Sequence, residues 1–289
     1  MINYFKNYWD SVKDSFNNIS IFLPLLIQII TVMIVASIGS LSWVAIMISK
    51  YGEPFIALMS GNTADALSKA IFYEPFNLFI MGIVVLLTFL AVILVSVFFQ
   101  SGILGMANEI VEKGKTSLRN FKKYFKNTKK LFGFNIYKIV IIFLLSVPLM
   151  IFLLLFFLTK GNMVASWSFG VLAVISALFF IISVIWFLFA IMFTEQVITR
   201  KKSKTAWECM NKSRSWLKKK TRHVILTALT AIFVYLVISI TFSITDQLLP
   251  NNVWVSIVQS IVYLIYGLST IIFLFKEYKV IDEKVTVKY

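Results

Sequence analysis

Apolar residues run along this chain in six long stretches, and polar residues crowd into the short gaps between them. A membrane-spanning helix needs about 20 consecutive apolar residues. Segments 21–49, 76–102, 131–158, 167–193, 224–245 and 253–275 meet that length. The first is long enough to tilt or to begin within the membrane interface. Before it, Phe5, Trp9, Val12, Phe16 and Ile19 recur at steps of four and three, the helical period, with Asn7, Asp10, Lys13, Asp14 and Asn17 on the other face. Segment 1–20 therefore predicts an amphipathic helix. Two placements stay open for it: lying in the inner interface, or packed on the ends of the spans. The predicted fold is all-α and polytopic, with a six-span domain over 21–275 and a tail over 276–289.

Composition agrees with lipid as the surrounding medium. The chain of 289 residues is 59% hydrophobic and 14% charged, against about 25% charged in a soluble domain. Its 28 Lys and Arg are not spread evenly, since 18 fall within 113–130 and 200–222. With both termini inside, 25 basic residues face the cytoplasm and only Lys50, Lys69 and Lys160 lie outside. The bias of Lys and Arg toward cytoplasmic loops fixes that orientation, N-in and C-in, in the cell membrane. The same bias accounts for the net charge of +15, and no base-reading motif points to nucleic acid.

The two basic segments resemble each other. Each follows a span, holds a Lys-x-Lys-Thr element, and leads as a basic amphipathic helix into the next span. Lys113, Lys115 and Thr116 precede Leu118, Phe121, Phe125 and Phe132; Lys202, Lys204 and Thr205 precede Trp207, Met210, Ser213 and Leu217. A shift of 89 residues superposes Lys123 on Lys212 and Lys129–Lys130 on Lys218–Lys219. This reads as a weak internal repeat over about 76–158 and 167–245, parallel in the membrane; chance matching of Lys-rich stretches is the competing reading. Thr205 with Glu208 forms a capping box that places a helix N-terminus there, whereas Arg119 replaces the acidic partner after Thr116. Outside, 64–73 predicts a short helix carrying Asp65 and Lys69 four residues apart.

Chemistry is sparse. There is one Cys, Cys209, without an intrachain disulfide partner, and one His, His223, beside Arg222. No metal-ligand spacing, catalytic motif or cleavable signal pattern appears, and no cofactor is expected. No charged residue lies near the middle of a span, which argues against proton-coupled transport and intramembrane acid–base catalysis. Glu109 and Glu195 lie near span ends, and Glu195 draws more interest because it directly follows Phe193-Thr194. The intramembrane polar candidates are Gln28, Gln100, Glu195, Gln259 and Tyr263, each also readable as interhelical glue. Pro24 and Pro148 are expected to start or kink helices.

One stretch carries a family resemblance: Phe193-Thr194-Glu195-Gln196, then Thr205-Ala206-Trp207-Glu208, then Lys212-Ser213-Arg214-Ser215-Trp216, followed by a new span. It resembles the six-span prokaryotic membrane domain found in some glycerophosphodiester phosphodiesterases and in YciC-like membrane proteins. The order Ser213-Arg214-Ser215-Trp216 departs from that family's Ser-Trp-Arg-like element. The resemblance implies a six-helix accessory or lipid-facing unit. It does not imply phosphodiesterase activity, because the spans leave no room for the catalytic barrel.

The leading functional expectation is a non-enzymatic accessory or scaffold protein whose basic cytoplasmic face engages anionic inner-leaflet lipid or a membrane protein partner. The residues expected to do so are Lys122, Lys123, Lys126, Lys129, Lys130, Lys218, Lys219, Lys220 and Arg222, with Trp207 and Trp216 as interfacial anchors. The alternative is a transporter or permease component for a lipid-like or apolar solute, using Gln259 and Tyr263. An intramembrane enzyme would have only His223 and Glu195 to work with.

Overall fold

The computed structural model describes residues 2–59, 75–159, 163–200, 205–250 and 252–286. Helix α1 spans Ile2–Asn17 and is joined by a 3-10 turn, Ile19–Ile21, to α2, Phe22–Met59. Then come α3 (Pro75–Lys113), a 3-10 helix (Leu118–Asn127), α4 (Thr128–Leu158), α5 (Met163–Ile191), α6 (Thr194–Arg200), α7 (Ala206–Lys219), α8 (Thr221–Leu248) and α9 (Val253–Thr286). No strand occurs among the described residues. Six stretches are long and apolar enough to cross a membrane, and at most 22% of any of these apolar windows is buried within the chain. The predicted external helix 64–73 and Lys202 and Lys204 of the second basic segment lie outside the described residues.

The chain divides into two compact units, one of Leu23–Gln100, the other of Met1–Phe22 with Ser101–Tyr289. In the first, α2 and the early part of α3 approach where Gly39 meets Thr88; a Cβ on Gly39 would collide with the Thr88 side chain. Gln28 donates from Nε2 to the Ser96 carbonyl at 3.5 Å, the outer limit of a hydrogen bond. Pro24 falls at the third position of α2, where its missing N–H costs no helical bond.

The larger unit buries its core at one end of its helices. The buried residues cluster late in α3 (Ile103, Leu104, Met106), early in α4 (Leu131, Phe134), around α6 and α7 (Phe193, Val197, Trp216, Leu217) and late in α9 (Ile272, Phe273, Tyr278). Phe193, Trp216 and Tyr278 meet at its centre, with ring centroids 5.1–6.5 Å apart. Two helices carry this core beyond the apolar windows that sequence periodicity marks as spans. α3 continues past Gly102 to Lys113 and stops at Gly114, whose φ of +74° is a left-handed helix cap. α9 continues past Phe275 to Thr286, so most of segment 276–289 is helix rather than tail, with Glu277, Tyr278 and Ile281 buried.

α1 buries Tyr8, Ser11 and Ser15, while Lys13 and Asn17 of its polar face stay exposed. Ser11 and Ser15 are fully buried. Their hydroxyls bond back to the Asn7 and Ser11 carbonyls at 2.8 and 2.9 Å, and Ser15 Oγ also lies 3.1 Å from Ser269 Oγ on α9. Asp14 pairs with Lys276 at 2.7 Å. These small side chains allow close packing, and each polar atom finds a partner. The apolar stripe meanwhile leaves Trp9, Phe16 and Ile19 exposed.

The first basic segment is a 3-10 helix, and its period of three sets its inward face. Tyr124 and Asn127 are buried along the row Leu118, Phe121, Tyr124, Asn127. The helical period of 3.6 had pointed to Phe125 instead, which is only half-buried. The second segment, α7, is a true α-helix. Thr205 caps it by accepting from the Glu208 N–H at 3.2 Å.

Two glycines make room for the 3-10 helix. A Cβ on Gly102 would strike the Phe121 ring, and one on Gly105 would strike the ring of Tyr124 near its root. Gly105→Ala is expected to destabilise the protein in detergent by about 1–3 kcal/mol, the range for overpacking a filled core. Gly82→Ala, where a Cβ meets nothing within 4 Å, is expected to be neutral or stabilising by up to about 1 kcal/mol. Thermal unfolding of the two variants in one detergent checks the contrast.

Candidate functional site

Among the described residues two carboxylates are buried at this end of the larger unit, each among polar side chains. Taking a carboxylate out of water costs several kcal/mol unless donors replace the water. Glu109 on α3 is 2% exposed. It accepts from Thr116 Oγ1 at 3.1 Å, Asn120 Nδ2 at 2.7 Å and Tyr124 OH at 3.0 Å, with Lys123 Nζ at 3.9 Å. Donors at 116, 120 and 124 thus converge on one side chain and hold a 3-10 helix of ten residues, longer than this helix type usually runs. Asn18 closes the loop before it, accepting from the Thr116 N–H at 3.0 Å and donating to Gly114 O at 3.3 Å.

Glu277 on α9 is 1% exposed. Asn7 of α1 donates to its Oε1 at 2.8 Å, and His223 Nε2 of α8 lies 3.0 Å from its Oε2. The other imidazole nitrogen, Nδ1, lies 2.8 Å from Tyr4 OH of α1. A Glu277–His223–Tyr4 relay therefore joins three helices. Burial, then the nearby Glu277 charge, pushes the Tyr4 phenol up, against the lowering effect of Arg222. Tyr4 is thus held as a neutral hydroxyl. Tyr4 and His223 line a cavity of about 470 Å³ that Lys219, Lys220 and Arg222 also border. A smaller cavity of about 220 Å³, lined by Asn3, Asn7 and Glu277, shares Tyr4 and His223. Among the described residues no three His, Cys, Asp or Glu gather as metal ligands.

The expected basic residues are divided by the fold. Lys122, Lys123, Lys126 and Lys129 are exposed on the two outward faces of the 3-10 helix and the start of α4, and Lys130 is half-buried. Lys218 and Lys219 are exposed in the last turn of α7, Lys220 at the corner into α8, and Arg222 in the first turn of α8. Trp207 is 46% exposed beside Tyr137, with ring centroids 5.5 Å apart, a position open to an interface. Trp216 is not an interfacial anchor: it is 2% exposed. The reason is its spacing from Ser213, which puts both on the inward side of α7. Ser213 Oγ donates to the Ala190 carbonyl at 2.8 Å and accepts from the Phe193 N–H at 3.2 Å, bridging the break between α5 and α6.

The polar candidates also part company. Glu195 is half-buried, and the deeply buried carboxylates are Glu109 and Glu277. Gln100 and Gln259 are half-buried. Tyr263 ties α9 to α8, its hydroxyl 3.1 Å from Ser239 Oγ, and Tyr266 donates to the Ala231 carbonyl at 3.1 Å. His223 was legible as the lone histidine beside Arg222, but its partners were not, because Tyr4 and Glu277 lie 219 and 54 residues from it; the one available signal for Glu277 was the spacing of Glu277, Tyr278 and Ile281 beyond the last apolar window. Comparison with protein families, curated proteins and solved structures finds no match to this chain.

Glu109→Leu removes the acceptor for three donors. It is expected to cost about 2–4 kcal/mol, since each buried donor left unmatched costs about 1–3 kcal/mol and some regain water. Hydrogen exchange should rise across 116–127 while the spans stay protected.

Proposed function

We propose that this chain is a multi-pass protein of the cell membrane, N-in and C-in, that acts as a non-enzymatic accessory or scaffold by holding anionic lipid phosphates on its basic cytoplasmic face. The observation that supports this reading most is the separation of charge from apolar side chains in the two basic segments. Tyr124, Met210, Trp216 and Leu217 turn into the core, Leu118 and Trp207 stay exposed, and so do Lys122, Lys123, Lys126, Lys129, Lys218, Lys219, Lys220 and Arg222. They lie at the end of the helices from which the apolar shafts depart, which is where the inner-leaflet headgroups run in this orientation. Each surface-proximal basic residue contributes about 1 kcal/mol toward an anionic leaflet. Trp207, the exposed Trp9 and Phe16 of α1 and Ile19 of the turn after it are suited to sit among headgroups and upper acyl chains.

Transport of an apolar solute is less favoured. Tyr263 is engaged in joining α8 to α9, and Gln28 bonds its neighbouring helix, so both are used as packing groups.

The lipid reading is tested by replacing Lys122, Lys123, Lys126 and Lys129 together with Gln and reconstituting the protein in nanodiscs of mixed anionic and zwitterionic lipid. Anionic-lipid retention, read by native mass spectrometry after release, should fall at least about tenfold, equivalent to 1.4 kcal/mol. Unchanged retention with unchanged topology would exclude this face as the lipid contact.

A further inference from the structure

We infer that the apolar cavity between α1, α8 and α9 seats one acyl chain of an anionic phospholipid, and that this lipid clasps the N-terminal helix to the spans. This rests on the lipid reading above and adds a defined acyl-chain site to the exposed basic face.

The cavity has a volume of about 430 Å³, within the roughly 300–1,000 Å³ of small-molecule sites. Phe5, Trp9 and Val12 of α1 line it together with Val234 of α8 and Val262 of α9. Tyr8 and Tyr266 also border it, and both hydroxyls are already engaged. Tyr8 OH lies 3.2 Å from Thr270 Oγ1, and Tyr266 OH donates to the Ala231 carbonyl at 3.1 Å. A water settles in a cavity only with about two to four polar partners, and this lining offers only those two engaged groups. An apolar occupant is therefore favoured. In a membrane the apolar material at hand is the acyl chain.

The class of lipid follows from the charges nearby. Lys219, Lys220 and Arg222 border a second cavity, of about 470 Å³, which Tyr4 also lines. Helix α8 starts there, with Lys220 at its N-cap and no side chain capping it. The first N–H groups of a helix have no partner within the helix and form the positive end of its dipole. Cationic side chains and such N–H groups together suit a phosphate. Among the described residues no carboxylate lines this second cavity. Leu226 of the polar cavity and Val234 of the apolar one are eight residues apart on α8, about 12 Å. A phospholipid with its phosphate at the start of α8 and one chain running along that helix spans this distance.

Helix α1 lines both cavities, with Tyr4 at the polar one and Phe5 at the apolar one. A lipid seated in both touches α1 from Tyr4 to Val12. Its contacts add to the Asn7–Glu277 and Asp14–Lys276 pairs. A ligand that binds only the docked arrangement stabilises it by mass action, so the lipid holds α1 in place.

The test places the full chain in nanodiscs containing phosphatidylglycerol or phosphatidylcholine with a photoreactive diazirine in the acyl chain, and maps the cross-links by peptide mass spectrometry. In the wild type, phosphatidylglycerol should label segments 5–12, 234–238 and 262–266 several-fold more than phosphatidylcholine does, while the shafts of α4 and α5 take both alike. Val234→Phe and Val262→Phe each narrow the cavity. Each should cut the labelling of segment 5–12 several-fold and leave α4 and α5 unchanged, which also reports that the variants fold. Lys220→Gln should lower phosphatidylglycerol labelling of segment 5–12 about fivefold, the effect of one basic residue near an anionic headgroup. Hydrogen exchange across 2–17 should be slower in phosphatidylglycerol than in phosphatidylcholine. Equal labelling of segment 5–12 by the two lipids, or labelling unmoved by both cavity variants, would overturn the inference while leaving the exposed lysines as a lipid contact. Absence of cavity labelling by either lipid would assign the cavity to another occupant and overturn it too. No enrichment of phosphatidylglycerol over phosphatidylcholine anywhere on the protein would overturn the lipid reading as well.

Discussion

Glu277 sits where α1, α8 and α9 meet, and only 1% of its surface reaches solvent. A carboxylate in that position must exchange its water for polar protein groups: Asn7 donates to one oxygen, and His223 Nε2 lies 3.0 Å from the other. That requirement docks α1. The helix is also held by the Ser15–Ser269 contact, the half-buried Asp14–Lys276 pair and the buried Tyr8, whose hydroxyl lies 3.2 Å from Thr270 Oγ1. Glu109 imposes the same condition elsewhere in the larger unit, where Thr116, Asn120 and Tyr124 converge on it. Two buried charges thus decide where two peripheral segments lie. Their matching is costly to break from either partner, because each leaves the other buried and alone.

The molecule's packing is divided by medium. The helix shafts bury little within the chain, since lipid supplies an apolar environment and exerts no hydrophobic pressure to close them. At one end of the larger unit's helices the chain instead buries a core of its own around Phe193, Trp216 and Tyr278. Helices α3 and α9 bridge both regimes by continuing past their apolar windows. Ser213 shows how local the adjustment is: one hydroxyl spans the α5–α6 break, satisfying a carbonyl and an N–H that the interrupted helix leaves over. The lysines displaced from this core are left on its outer surface, which is why the basic face and the relay occur together.

The basic surface was legible because exposure of Lys follows from its chemistry wherever the backbone goes. The inward face of the first basic segment was not. Phe121 and Phe125 fit a 3.6 period, and only the structure shows a period of three with Tyr124 turned in. Trp216 carries the same lesson. An amphipathic Trp near a span end is a fair interfacial anchor on composition alone, and its burial comes from the partner that Ser213 finds twenty residues earlier. Likewise α1 had a readable apolar stripe, yet its serine face is the one that docks, because small side chains let helices approach and the hydroxyls bond within their own helix.

What the amino-acid sequence determined unaided is what depends on sums over neighbouring residues: an all-helical chain, six stretches long enough for a membrane, and two basic segments. Hydrophobic transfer and charge desolvation are additive along the chain, so they can be counted. The tertiary structure alone decided which polar atoms meet. Tyr4, His223 and Glu277 are scattered across the whole length, and nothing local to any of them encodes the other two. A buried polar group specifies only that it needs a partner. Which partner it finds is settled when the helices pack.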